Sequence, residues 1–365
     1  MKLSDIHKFI VRGCKALLCI SALSLPLAGC ESIYEDEGDC PQGYNVAFTY
    51  FRNMKGVDAF SSDVRSLSLY VFDQKGRLVL TKSESGEALS KAGYRMRIGE
   101  TEIAPGTYDL IVWGGLEDSE SFELSGGNIP VSKEELVCRL NRLRDGAGSA
   151  YSERQLDALF YGKAFEVEFE SMDRVRAEAT SEPTVATIDL TKNTNTVRLI
   201  LHNKDGRVLD EGDFRFRITD DNGLMNWDNN LLADETITYH EWTKKSDRLT
   251  TPAMSRAGDE EAGEVSGKPV YCVVAEIDMS RLVREHNPVL TVEFGDKEKP
   301  IIHLSLMELL LESKGAVRIP MSNQEFLDRQ DEYNMYFQLD NNNDWDMEAG
   351  LWINSWHVIF NNEKV

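Results

Sequence analysis

The chain has no run of apolar residues long enough to cross a bilayer as a helix, which takes roughly 20. The stretch Ala16 to Leu27 holds only about a dozen, and Ile301–Leu311 is interrupted by His303 and Glu308. Positive charge is scarce as well: 40 Lys and Arg stand against 62 Asp and Glu, a formal charge of −22. Such a surface repels nucleic-acid phosphates and anionic lipid headgroups, which argues against either as a partner by charge alone. There is no CxxC pair, so zinc-knuckle and thioredoxin-like spacings are excluded. No GxSxG elbow, Walker loop, HExxH or GxGxxG occurs. The six histidines, His7, His202, His240, His286, His303 and His357, stand singly, with no carboxylate or cysteine at ligand spacing. Asp340-Asn341-Asn342-Asn343-Asp344 begins like a calcium loop, but Trp345 holds the glycine position and Leu351 the bidentate-acid position, so a turn is expected. No catalytic residue, metal or cofactor is expected.

What the chain does have is a folded composition, 41% hydrophobic and 28% charged over 365 residues. That length suits two domains of ordinary size, each able to bury a core without disulfide staples. The most specific device is N-terminal. Lys2, Lys8, Arg12 and Lys15 precede the apolar stretch, and Leu27-Ala28-Gly29-Cys30 closes it. A charged start, a short apolar core and small residues before the cut are the parts of a secretory signal. The final four residues look like a bacterial lipobox, cleaved between Gly29 and Cys30, with the Cys30 thiol carrying a diacylglycerol. Two or three acyl chains hold a protein on a membrane firmly, where one does not. Residues 1–29 carry a net +3, so the remainder carries −25.

Residues 30–41 read as an acidic tether, too poor in apolar residues to fold. Glu31, Glu35, Asp36 and Glu37 resemble the surface-export signal that follows the lipidated cysteine in lipoproteins of Bacteroides-type bacteria; a plain hydrophilic spacer is the other reading. Three cysteines remain beyond the tether's start. Cys272, in an apolar run, reads as a small buried hydrophobe, and Cys40 with Cys138 is left as a candidate disulfide in an oxidising compartment.

Beyond the tether the pattern is that of strands. Lys163–Glu170 alternates apolar and charged residues with period two, the mark of a sheet with one wet face. Val46–Phe51, Leu67–Phe72, Tyr108–Trp113, Phe214–Ile218, Val270–Ile277, Val289–Phe294 and Met335–Leu339 are further strands by composition. Helices are few. Ser132 with Glu135 and Ser322 with Glu325 have the form of capping boxes, the first opening a helix with Leu136, Leu140 and Leu143 on one face; Leu304–Glu312 is a third helix. Leu67–Val79 aligns without gaps to Val197–Leu209, each a strand, a glycine turn and a second strand, which suggests two similar halves. The expected division is 42–180 and 181–365, with Ser171–Pro183 as linker and Thr243–Lys268 as a long surface loop. The Trp113-Gly114-Gly115 and Trp352–Trp356 aromatics could stack on sugars, although tryptophans on strands more often belong to a core.

Several segments occur in order: DCPQGYNVAFTYF, LSLYVFDQKGRLV, APGTYDLIVWGGL, LTKNTNTVRLILHN, FRFRITDDNGLMNWDNNL and the closing INSWHV. Together with the lipobox they resemble the FimB/Mfa-type fimbrial subunit lipoproteins of Bacteroides-like bacteria, over nearly the whole chain. The resemblance implies an all-β fold of two transthyretin-like β-sandwich domains with a few short helices. It also implies an outer-membrane, lipid-anchored role in fixing a fimbrium to the cell surface and in its assembly or length control, with shaft or accessory subunits as partners. Related shaft subunits join by strand addition, in which backbone hydrogen bonds give affinity and alternate side-chain pockets give register. Such subunits lose an N-terminal strand by cleavage at arginine, and Arg52 and Arg65 lie near that place. The alternative function is a surface glycan-binding lipoprotein; a lipoprotein hydrolase is disfavoured by the absent motifs.

Overall fold

The computed structural model describes residues 41–179, 181–250, 269–295 and 297–358. The strands run in chain order as follows. Gly43–Arg52 (β1), Ser66–Asp73 (β2), Leu78–Ser85 (β3), Arg95–Gly99 (β4) and Gly106–Gly114 (β5) come first. Four short strands follow, Phe122–Leu124 (β6), Cys138–Leu140 (β7), Leu143–Arg144 (β8) and Ala150–Ser152 (β9). Next are Phe160–Phe169 (β10), Thr184–Lys192 (β11), Thr194–Asn203 (β12), Phe214–Asp220 (β13), Leu224–Met225 (β14) and Ile237–His240 (β15). Thr243–Thr250 (β16), Pro269–Ser280 (β17), Val289–Phe294 (β18), Ile302–Ser305 (β19), Glu332–Leu339 (β20), Leu351–Ile353 (β21) and Trp356–Val358 (β22) complete them. The α-helices among the described residues are short: Phe60–Asp63 (α1), Gly86–Lys91 (α2), Met172–Glu178 (α3), Leu306–Glu312 (α4) and Asn323–Arg329 (α5). The chain is therefore all-β with a few short helices, and the eight strands expected from composition all coincide with strands of the fold.

Among the described residues the strands assemble into four sheets, ordered β3-β2-β5-β10-β11-β1-β4, β16-β17-β12-β20-β21-β22, β19-β18-β13-β15-β9-β8 and β14-β7-β6. The first sheet wraps one core, in which Tyr44, Val46, Phe48 and Tyr50 of β1 meet Leu110 and Val112 of β5. Strand β5 is apolar on both faces, as a strand buried on both sides must be. Its alternate residues Ile111 and Trp113 point the other way, into a second core shared with β12, β13, β17 and β20. The two halves thus pack through one continuous apolar layer.

Several local expectations are corrected. The first unit does not end at residue 180: β11 lies inside the first sheet, parallel to β1, and the crossover is at Asn193. Asn193 is fully buried and exchanges side-chain hydrogen bonds with Asn229 (2.7 and 3.2 Å), which satisfies both amides at the turn. Residues 122–152 cross to the second unit, β7 pairing with β14 and β9 with β15. The expected linker contains α3, whose Met172 and Val175 are buried. The expected surface loop begins as β16, paired residue by residue with β17, while its remainder lies outside the described residues.

The capping box at Ser132 gives only a 3-10 turn, Lys133–Glu135, with no side-chain cap. Glu135 reaches the Val131 amide instead (3.0 Å), and Leu136, Cys138 and Leu140 bury alternate side chains, so the period of two prevails over the helical one. The box at Ser322 does form, its hydroxyl accepting the Glu325 amide at the start of α5. In the internal echo, Gly76 and Gly206 both take positive φ (74° and 72°), and each turn opens on a side chain accepting the amide two residues on, Asp73 from Lys75 and Asn203 from Asp205. Only the first is a hairpin, however; after Gly206 no second strand forms.

His202 of β12 is buried, and burial holds its imidazole below the ordinary value, with Nε2 lacking a partner. A histidine kept neutral in the fold but free to protonate when unfolded, near pH 6.5, destabilises the fold as pH falls below that value. Relative to His202→Gln, the native chain should lose stability as pH falls from about 7.5 to about 5.5. Parallel denaturation curves at the two pH values measure this, and a pH-independent difference would refute it.

Candidate functional site

The residues singled out for attachment, Gly29, Cys30, Glu31, Glu35, Asp36, Glu37 and Cys40, lie outside the described residues. The point at which the tether joins the fold is described, and it is clamped. The Pro41 carbonyl accepts Arg176 Nε (3.0 Å), and the Gln42 carbonyl accepts the Glu100 amide (2.9 Å). Arg176 also pairs with Glu100 (2.6 Å), and Arg97 grips Glu182 with two nitrogens (2.6–2.9 Å). Pairs exposed in this way are worth little individually. The hold comes from β1 itself, an interior strand between antiparallel β4 and parallel β11. Its four buried aromatic and aliphatic side chains each contribute about 1.5–3 kcal/mol of burial. A pull on residue 41 along the strand loads both ladders in shear, so many hydrogen bonds must fail together.

A second feature is an apolar surface left open at the junction of the halves. Ile129 and Val131 are 77% and 67% exposed, beside the edge strand β3, to which the Val131 carbonyl is bonded through the Leu78 amide (3.0 Å). A pocket of about 460 Å³ opens there, lined by Ile129, Pro130, Val137, Leu224 and Leu232. Phe165 sits close by for a reason the sequence conceals. A bulge between Ala164 and Val167 of β10 adds one residue opposite β5, with Glu166 at φ 54° and its amide donated to Asp109 (2.9 Å). The strict alternation expected of Lys163–Glu170 is broken, and Phe165 turns outward to 41% exposure. It meets the Trp227 ring edge-on at 6.0 Å, with Lys133 and Lys163 over the rings at 5.0–5.6 Å. Lys133 and Lys163 are neutralised by Asp109 and Asp228, so the patch offers contact area with little net charge.

The other sequence candidates separate clearly. Trp113 is core, 5.0 Å from the Tyr161 ring, and Trp352 stacks on His357 at 4.4 Å. Asp340–Asp344 is a turn in which Asp340 accepts the amides of Asn342 and Asp344; these bonds hold its carboxyl below the usual range. Cys138 is fully buried, its thiol pKa pushed up by burial, and its candidate bridge partner Cys40 lies outside the described residues. Cys272 is buried as expected, its thiol 3.6 Å from the Asp247 carbonyl. His286 does not stand alone: folding brings Asp220 and Asp221, 66 and 65 residues distant in sequence, to its Nδ1.

Comparison with known proteins completes the picture. A curated relative, the minor fimbrium anchoring subunit Mfa2 of Porphyromonas gingivalis, is 28% identical over 140 residues, spanning 38% of this chain and 40% of its own length. The crystal structure of a candidate adhesin from Bacteroides thetaiotaomicron covers 88% of this chain and 99% of its own at 30% identity, with a TM-score of 0.69. The fimbrial anchor protein Mfa2 from Porphyromonas gingivalis has the same fold at 18% identity, covering 88% and 100% of the two chains with a TM-score of 0.60. The family model of the fimbrillin-A associated anchor proteins Mfa1 and Mfa2 matches residues 36–362, and the chain belongs to that family.

Proposed function

We propose that this chain is a non-enzymatic, lipid-anchored subunit that fixes a fimbrium to the outer membrane and aids its assembly or length control, with Cys30 as its acylated N-terminus. The observation that carries this reading is the placement of β1. The strand that continues from the tether is interior and densely buried, so load from a surface fibre reaches the lipid through a sheared sheet rather than a peeling edge. Cleavage at Arg52 or Arg65 would separate β1 from the rest of the first core, so the working form of this subunit is the uncut chain. A neighbouring subunit docks on the exposed Ile129–Val131 segment and adds a strand to β3, whose outer edge beyond the Leu78–Val131 bond has no partner strand among the described residues.

The test is co-purification from detergent-solubilised outer membrane. Fimbrial subunits should accompany the native chain, and Ile129→Asp with Val131→Asp should reduce their recovery at least tenfold without changing the melting temperature, since both residues are exposed. Retention on polysaccharide with no subunit partner would favour the glycan-binding reading, for which the exposed Phe165 beside the partly buried Trp227 is one aromatic surface.

A further inference from the structure

Strand β13 ends in Asp220, and the turn Asp221-Asn222-Gly223 follows. Opposite lies the loop 281–288 between β17 and β18. The two segments are stitched together by Asn222, fully buried, whose Nδ2 donates to the carbonyls of Ser280 (3.1 Å) and Arg281 (3.0 Å) while its Oδ1 accepts the Tyr239 hydroxyl (2.6 Å). This fixed scaffold sets His286 Nδ1 at 2.7 Å from Asp221 Oδ1 and 3.5 Å from Asp220 Oδ1. One ligand atom from each residue lies within 4.8 Å of the others.

An independent observation concerns the other oxygen of Asp220. The residue is only 6% exposed, and Oδ2 is buried without a hydrogen-bond donor. An unpaired buried carboxylate oxygen is costly unless a proton or a cation supplies what the fold does not. Among the groups acting most strongly on Asp220 only His286 can be cationic, and Asp221 opposes it. The site is therefore short of positive charge.

We propose that Asp220, Asp221 and His286 form a binding site for a first-row divalent cation, zinc in preference to manganese. One imidazole and two carboxylates are ligands that both ions accept, and the imidazole together with the Irving–Williams order favours zinc. Ligand atoms at 2.0–2.2 Å around a tetrahedral zinc lie about 3.4 Å apart, and the two measured separations bracket that value. Binding replaces the Asp221–His286 hydrogen bond and pins the β13 turn to the β17–β18 loop. Solvent supplies the fourth ligand, since Asp221 is 48% exposed at its side chain.

Isothermal titration of zinc chloride into the purified full chain tests this, with manganese chloride as the second probe. One saturable site is expected, weakened at least tenfold in Asp221→Asn and in His286→Gln. Both residues are partly exposed, so neither change should unfold the protein, and the metal-free melting temperature verifies that. Zinc should raise the melting temperature of the native chain and leave that of both variants in place. Absence of saturable binding by the native chain, or equal binding by the native chain and both variants, overturns the proposal.

Discussion

Cys30→Ser should move the protein, and any fimbrium it holds, from the outer-membrane fraction into the medium. On the proposed reading the Cys30 thiol takes the diacylglycerol, and serine offers no equivalent nucleophile. Each buried methylene contributes about 0.8 kcal/mol to membrane attachment, so losing two or three chains removes far more than the exposed protein surface could replace. That surface is acidic and is repelled by anionic headgroups. Membrane-bound protein is expected to fall on the order of a hundredfold, read by fractionation and by incorporation of labelled fatty acid. Fimbriae that remain attached to cells carrying the variant would sink the anchor reading. Their release with the subunit still attached to their base would be its strongest support.

Trp113→Ala should cost about 3–5 kcal/mol, the usual range for deleting a large buried aromatic. Trp113 is fully buried on the face of β5 turned toward the second core, against Tyr161 and close to the strands that join the halves. In a chain of this size such a loss lowers the melting temperature by roughly 4–8 °C. The form of the transition matters as much as its position. Because the apolar layer is continuous, the native chain should melt in one cooperative step, and the variant should begin to separate the halves. Two resolved transitions already present in the native chain would show that the layer does not couple them.

The strands were legible because their signal is local. Period-two burial in β1, β2 and β13 is imposed by neighbours a few residues away, and each was placed from composition. The same locality explains the failures. Leu136, Cys138 and Leu140 fit a strand, yet Leu136, Leu140 and Leu143 also fit a helix face, and pairing with β6 and β14 decided between them. Phe165 looked like a core residue until the bulge at Glu166 reversed its side. The echo around Gly206 foretold the turn, whose conformation is fixed by three or four residues, but not its outcome, since β12 pairs with β17 and β20 instead of with its own continuation.

The chain's acidic surface, its all-β class and its family were legible in the sequence itself, and the attachment proposed at Cys30 is read from the same local signals. Each rests on residues adjacent in the chain or on composition, and needs no folding to be read. Only the tertiary structure decided where the first unit ends, that β5 serves two cores, that Ile129 and Val131 are left uncovered, and that Asp220 and Asp221 meet His286. Those features depend on contacts between residues tens to hundreds of positions apart, and sequence order carries no record of such distances until the sheets close.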